Sequence, residues 1–306
     1  MTIEVSPEVP NLPAAAIATC AQALLDAAPI TSAYHLAIAT TLAVRGNILS
    51  DTRNMRWARL VWVCCTAAGG DWTAAVTAAA AVELFMVALD TLDDVEDDEA
   101  SPTQIELGLG RTLNVSTGLL FLANISLLDS AHFAKAARIL SEAGLMACSG
   151  QHADLKVATE RPLQLDESLA ITAQKSAALV SAICRLGALC GGADEAHQLL
   201  FARYGSHLGM VLQLANDIGG IHPKAQKKTD ITLARPTLPL TYAMLYNGER
   251  TEAAHAQSPD LWTGGAAYLT WTVAEVYRRY ILEIIPLLTP DPTERAALAK
   301  LIPIRG

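Results

Sequence analysis

The chain has 306 residues, 52% of them hydrophobic and 17% charged, which is enough to build a sizeable apolar core. A net charge of −9 without any basic run excludes a nucleic-acid or anionic-membrane surface as partner, so an anionic substrate must be met by local cations or bound metal. Aromatic residues reach only 5% while alanine and leucine abound, and long stretches lack alternating polarity, which points to an all-α protein.

In chain order, residues 1–13 carry Pro7, Pro10 and Pro13 and no basic leader, and read as a flexible arm ahead of a single helical domain over 14–306. Periodicity predicts helices over 14–26 and 32–49, a polar segment with Arg53 and Arg56, and a helix over 57–68 closed by Gly69-Gly70. Asp71 is placed to open the next helix, whose apolar run ends in seven acids within ten positions: Asp90, Asp93, Asp94, Glu96, Asp97, Asp98 and Glu99. These charges repel one another, and a helix C-terminus disfavours anions, so the stretch calls for a cation. Asp93 and Asp97 lie one turn apart with Asp90 just before them, a spacing of hard oxygen ligands suited to Mg²⁺ that also holds a phosphate. The alternative is a solvated helix end followed by an acidic turn.

Ser101-Pro102 is expected to stop this helix, with a looser stretch around Gly108 and Gly110 before a helix over 113–129. Further helices are expected over 131–155, from an Asp166 cap to 189, and over 194–218, the last exposing Asn216 and Asp217 before Gly219-Gly220. A lysine-rich loop over 222–230 precedes Arg235-Pro236-Thr237-Leu238-Pro239-Leu240, which opens another helix, and helices over 262–285 and 293–301 finish the chain. The six cysteines form no CxxC pair and read as buried reduced thiols. Uncharged stretches such as 112–128 are too polar for an integral membrane segment, and the chain reads as soluble and cytoplasmic.

Asp93-Asp94-Val95-Glu96-Asp97 resembles the first aspartate-rich motif, DDxxD, of the trans-isoprenyl diphosphate synthases, or polyprenyl synthetase family, and Glu83 sits where that family has an upstream Glu. Gly150-Gln151-His152-Ala153-Asp154-Leu155 is similar to the family's GQxxDL helix, and Lys175-Ser176 to its Lys-Thr pair. Gln213-Leu214-Ala215-Asn216-Asp217-Ile218 resembles the second aspartate-rich region, and Lys228-Thr229-Asp230 followed by Arg235-Pro236-Thr237-Leu238-Pro239-Leu240 resembles the Lys loop and KPTLPL signature. The resemblance covers about residues 60–245.

It implies an isoprenoid-synthase helical bundle around a central apolar cavity, with the two acidic helix ends at its mouth, assembled as a homodimer. Three Mg²⁺ ions, held by Asp93, Asp94 and Asp97 and by Asn216 and Asp217, are then expected to bind a prenyl diphosphate, with Lys175, Lys228 and Arg235 on its remaining charge. An amide oxygen is a weaker Mg²⁺ ligand than a carboxylate, so either the ion at Asn216 binds loosely or water and substrate phosphate supply the missing contacts. Gln151 and Gln213 are placed at the cavity, and Gln213 shares a face with Asp217. Phe85, Met86, Ala88 and Leu89, just before DDxxD, are expected to form the wall that sets substrate length, with Ala88 and Leu89 leaving room for a farnesyl or geranylgeranyl chain.

The sequence departs from the chain-elongating pattern in three places. Ser50-Asp51-Thr52-Arg53-Asn54-Met55-Arg56 stands where a Gly-Lys-Arg segment is usual, no basic residue lies between Asp97 and Arg111 where Arg-Arg-Gly is usual, and Asn216 and Gly220 replace two acids of the second region. Asn216-Asp217 also resembles the start of the class I terpene cyclase metal motif. These departures favour ionisation of one allylic diphosphate followed by cyclisation or quenching, a terpene synthase reaction without isopentenyl diphosphate. Prenyl transfer to an indole, phenol or peptide, an atypical elongating synthase, and a regulatory subunit of an active synthase stay open beside it.

Overall fold

The computed structural model describes residues 14–45, 49, 55–97, 101–128, 130, 132–160, 163–222, 237–247, 261–262 and 265–303, and all their regular elements are helical. By its internal contacts the chain divides into two compact units, one built on the described residues of 8–139 and 183–198, the other on those of 140–182 and 199–306.

The first unit holds α1 (Ala14–Ala27), α2 (Ser32–Val44), α3 (Arg56–Ala67), a 3₁₀ turn (Trp72–Ala75) running into α4 (Val76–Glu96), α5 (Pro102–Leu107) and α6 (Leu109–Ser126). The expected cap is present: Asp71 accepts a hydrogen bond from the Thr73 N–H at 2.9 Å. α4 packs against α1, α3 and α6, and every residue from Ala78 to Ala88 is buried, as a helix that is apolar all round requires. By length and composition the stretch Trp72–Glu96 could cross a membrane, but 67% of its apolar window is buried inside the protein, the mark of a core helix.

One polar group interrupts that apolar run. α3 begins at Met55, which offers no side-chain cap, and Glu83 reaches across from α4 so that its Oε1 accepts the Ala58 N–H at 2.7 Å. Helix N-termini carry unpaired donors and partial positive charge, so a carboxylate is a fitting cap, here supplied in three dimensions instead of from the adjacent sequence. Burial pushes the Glu83 carboxyl up to about 7, opposed by the amides of Ala58 and Trp57 and by the Arg56 charge.

Ser101-Pro102 starts a helix in addition to following one. Ser101 Oγ accepts the Gln104 N–H at 3.1 Å and Pro102 occupies the first turn of α5, where its missing N–H costs nothing. The looser stretch expected at 101–112 is therefore helical on both sides of Gly108, whose φ of +75° turns the chain into α6. Among the described residues no disulfide forms, and Cys64, Cys65 and Cys184 are buried. Burial pushes the Cys65 thiol up to about 11 and that of Cys190 to about 12, as inert thiols require, whereas Cys148 is exposed.

The second unit takes α7 (Phe133–Glu160) from residue 140, α8 (Leu165–Thr172), a π-helical turn (Ala173–Ala177), the start of α9 (Ala178–Cys190), most of α10 (Glu195–Gly220), α11 (Leu238–Asn247), α12 (Ala266–Leu288) and α13 (Pro292–Lys300). α8 is capped by Gln164, not by Asp166: the Gln164 N–H donates to Glu167 Oε2 at 2.9 Å in a capping box, which leaves Asp166 inside the first turn. One core cluster joins Ile221, Leu240, Ala243, Leu261 and Ala267, and another joins Leu214, Leu238 and Ala274 with Trp271 and Tyr277 against it. The fully buried Tyr204 donates its hydroxyl to the Leu298 carbonyl at 2.9 Å and ties α10 to α13.

Candidate active site

The C-terminal end of α4 carries the acidic motif. The Asp97 N–H donates to the Asp93 carbonyl at 2.9 Å, which fixes the two residues one turn apart on one face. Asp97 is buried, Asp93 and Asp94 are half-buried, and Glu96 is exposed. Among the described residues no three His, Cys, Asp or Glu side chains gather closely enough to enclose a metal ion. Mg²⁺ in phosphate-handling sites needs only one or two carboxylates, the rest coming from phosphate and water, so a pair of oxygen donors such as Asp93 and Asp97 fits that ion.

Cations from the same unit meet this acidic end. Arg45, the residue that caps the C-terminus of α2, donates from Nη2 to Asp94 Oδ2. A helix C-terminus favours a cation, so the placement serves both helices. Asp90 keeps exposed surface, yet crowding by surrounding protein pushes its carboxyl up to about 6, with Arg56 and Arg45 pulling the other way.

The second unit assembles the GQxxDL helix, the Lys-Ser pair and Asp217. Lys175 and Ser176 sit in the π-helical turn, a local widening that re-aims side chains relative to a regular helix. α7 approaches this turn backbone to backbone at Gly150, where a Cβ would stand 2.5 Å from the Lys175 nitrogen. Lys175 Nζ donates to Asp154 Oδ2 at 3.2 Å. Ser176 Oγ donates to Gln213 Oε1 at 2.9 Å, and Gln213 Nε2 donates to Asp217 Oδ1 at 2.8 Å. Asp217 is 2% exposed while Asn216 points into solvent.

Gln151 is buried on α7, and the neighbouring His152 is exposed. Phe85, Met86 and Ala88 are buried in α4, Ala88 without any exposed surface, whereas Leu89 is half-buried. Lys228 and Arg235, expected on the diphosphate, lie outside the described residues, as does Arg53. Arg45 was not legible as a site residue, because 49 residues separate it from Asp94 and no local pattern joins them. Asp154 was visible in its motif, but its partnership with Lys175 follows from the packing at Gly150.

A family model of the polyprenyl synthetases matches residues 42–259. The chain belongs to the polyprenyl synthetase family. The (2E,6E)-farnesyl diphosphate synthase of Mycobacterium tuberculosis is 31% identical to this polyprenyl synthetase over 259 residues, which cover 81% of the chain and 66% of that enzyme. The tryptophan prenyltransferase ComQ of Bacillus spizizenii is 27% identical over 164 residues, 53% of this chain and 56% of ComQ. The chain thus aligns with about two thirds or less of these relatives' own lengths. A solved geranylgeranyl pyrophosphate synthase matches with a TM-score of 0.84 over 97% of this chain and 100% of its own, at 20% identity, so the all-α isoprenyl synthase fold runs through both units.

Proposed function

We propose that this polyprenyl synthetase ionises an allylic prenyl diphosphate and passes the prenyl group to isopentenyl diphosphate, as an atypical chain-elongating synthase. The observation that carries this is the hydrogen-bonded series Ser176, Gln213 and Asp217, which orients the carboxylate of the altered second region even though Asn216 has replaced its neighbour. Asp93 and Asp97 would hold Mg²⁺, with Asp94 beside them and a more weakly held ion of the three near Asn216 and Asp217. Mg²⁺, when bound, supplies the Lewis acid that stabilises the departing diphosphate. Lys175, charge-paired with Asp154, would meet phosphate oxygens, and Lys228 and Arg235 would add to it. The apolar residues before Asp93 exclude water from the cation.

The expectation of cyclisation without isopentenyl diphosphate yields to elongation on two grounds. Two of the similar proteins named above, the farnesyl diphosphate synthase and the geranylgeranyl pyrophosphate synthase, are prenyl diphosphate synthases. Arg45 and Arg56 also lie within electrostatic reach of the acidic helix end, where the sequence pattern alone had left a shortage of cations. Cyclisation or transfer to another acceptor is favoured by the absence of any Lys or Arg from Asp98 to Gly110, by the replacements at Asn216 and Gly220 and, for an indole acceptor, by the similarity to a tryptophan prenyltransferase. The test is incubation with Mg²⁺ and the geranyl, farnesyl and geranylgeranyl diphosphates, each with and without isopentenyl diphosphate, with products identified by mass. A longer prenyl diphosphate formed only with isopentenyl diphosphate is expected; a terpene formed equally well without it overturns elongation.

Substrate length is expected to respond at Leu89 and not at Ala88. Leu89 is the half-buried member of the proposed wall, and an indole there should favour geranyl over farnesyl diphosphate by roughly tenfold. Phe at the sealed Ala88 position should overpack α4 and cost about 1–3 kcal/mol of stability with little change in preference. Competition between the two diphosphates in Leu89→Trp and Ala88→Phe checks this, and a shift confined to Ala88→Phe overturns it.

We also propose a soluble homodimer. Leu109, Leu113, Phe121, Ile125 and Leu128 recur at helical spacing on and just after α6 and are all exposed, an apolar row that a second copy would bury. Sedimentation should show a dimer at micromolar concentration and a monomer for Phe121→Glu; a monomeric parent protein contradicts the proposal.

A further inference from the structure

The acidic end of α4 is not electrostatically open in the protein by itself, because a cation of the same chain already holds part of it. Arg45 Nη2 donates to Asp94 Oδ2, with the two side chains only 16% and 23% exposed, so solvent screens the pair incompletely. The pair joins the C-terminus of α2 to the C-terminus of α4, two helix ends that each favour a cation. The same guanidinium acts on Asp90 as well as on Asp94, and Arg56 also lowers the charge burden on Asp90. Among the described residues the Nε of this guanidinium is buried and has no hydrogen-bond partner. A planar group with five donors can pair with a carboxylate and, once it moves, with the oxygens that a phosphate presents in pairs.

We propose that Arg45 is a resident counter-ion of the site: it occupies Asp94 until metal and diphosphate arrive, and its guanidinium then passes from the carboxylate to the diphosphate. This rests on the prenyl-diphosphate reading of the acidic motif. Two consequences follow from charge alone. While Arg45 holds Asp94 it competes with Mg²⁺ for the motif, so the protein binds metal alone weakly. Once a diphosphate is present, Mg²⁺ and Arg45 no longer compete, because the phosphate oxygens give the guanidinium a second anionic partner, and metal and diphosphate bind cooperatively. Arg45 thereby stands in for part of the missing Gly-Lys-Arg charge from a different place in the chain.

The test uses the full chain and thermal unfolding at constant ionic strength, titrated first with Mg²⁺ alone and then with inorganic pyrophosphate at saturating Mg²⁺. Arg45→Gln should reach half of its Mg²⁺-induced stabilisation at about fivefold lower metal concentration than the parent, the factor expected for loss of a partly screened competing pair. The same variant should need more pyrophosphate for half-effect, also by about fivefold. Arg45→Lys, which keeps the charge but loses the paired donors, should retain the parent Mg²⁺ midpoint and lose pyrophosphate affinity. A purely structural Arg45 would lower the unfolding midpoint of Arg45→Gln while leaving both titrations superimposed on the parent's, and that outcome overturns the proposal. If Arg45→Gln does not fold, an Arg45→Lys titration identical to the parent's with pyrophosphate overturns it equally. A parent protein that responds to neither Mg²⁺ nor pyrophosphate overturns the prenyl-diphosphate reading itself, which is a different result from an unchanged Arg45 variant.

Discussion

Replacing Asp93 with alanine is expected to lower turnover by about a hundredfold or more with saturating Mg²⁺, because Asp93 would hold the metal that meets charge developing on the departing diphosphate, and the arginines at this helix end do not replace that Lewis acid. Asp97→Ala should do the same, since it stands one turn along the same face. Neither loss should come from unfolding. Five acids between Asp90 and Asp97 crowd the C-terminal end of α4, where the helix dipole disfavours anions, so removing one carboxylate relieves repulsion. The unfolding midpoint of Asp93→Ala without metal is expected to equal or slightly exceed that of the parent protein, while its response to Mg²⁺ is lost. Steady-state rates and thermal melts on the same preparations separate the two effects. Near-parent turnover in either variant contradicts the assignment of the motif, and a melt lowered by several degrees in Asp93→Ala contradicts the argument from repulsion.

The acidic end of α4 was legible because local sequence creates it: an apolar run that ends in like charges states both its burial and its need for a cation. What that cation is in the protein alone was not legible, since Arg45 is joined to Asp94 only by the packing of helices far apart in sequence. The same distinction separates the two ends of the Lys175 region. Gly150, Lys175 and Gln213 could be picked out by motif, but the π-helical turn that presents Lys175 and Ser176 has no signature beyond a helical pattern and required tertiary contacts to set it. Ser101-Pro102 misled for a physical reason: the serine that follows one helix also has the chemistry of an N-cap, and proline is as suited to the first turn of a helix as it is unsuited to the interior. Ala88 illustrates a third limit. Spacing places a residue on a helix face, but whether that face meets a cavity or another helix depends on what packs there, and Ala88 is sealed while Leu89 is not.

Glu83 offers a measurement of the core itself. Its carboxyl is 3% exposed and rises from 4.5 to about 7 on folding, chiefly through burial, so the folded protein binds a proton here that the unfolded chain has released across that interval. Stability contributed by this group is therefore fully present below about pH 4.5 and is lost as pH rises through about 7, by an amount on the order of 3 kcal/mol for a shift of this size. Glutamine at this position keeps an oxygen to accept the Ala58 N–H and carries no charge at any pH, so Glu83→Gln removes the burden that deprotonation places on the core. Urea unfolding at pH 5 and at pH 8 should then show the parent protein losing more stability than the variant between the two, with Glu83→Gln the more stable of the pair at pH 8. Glu83→Ala should be less stable than Glu83→Gln at both, by about 1–3 kcal/mol, because the first turn of α3 then buries a donor with no acceptor. Parallel pH profiles for the parent and Glu83→Gln would show instead that the carboxylate stays charged at the head of α3, held by the helix dipole and two amide donors strongly enough to offset its burial.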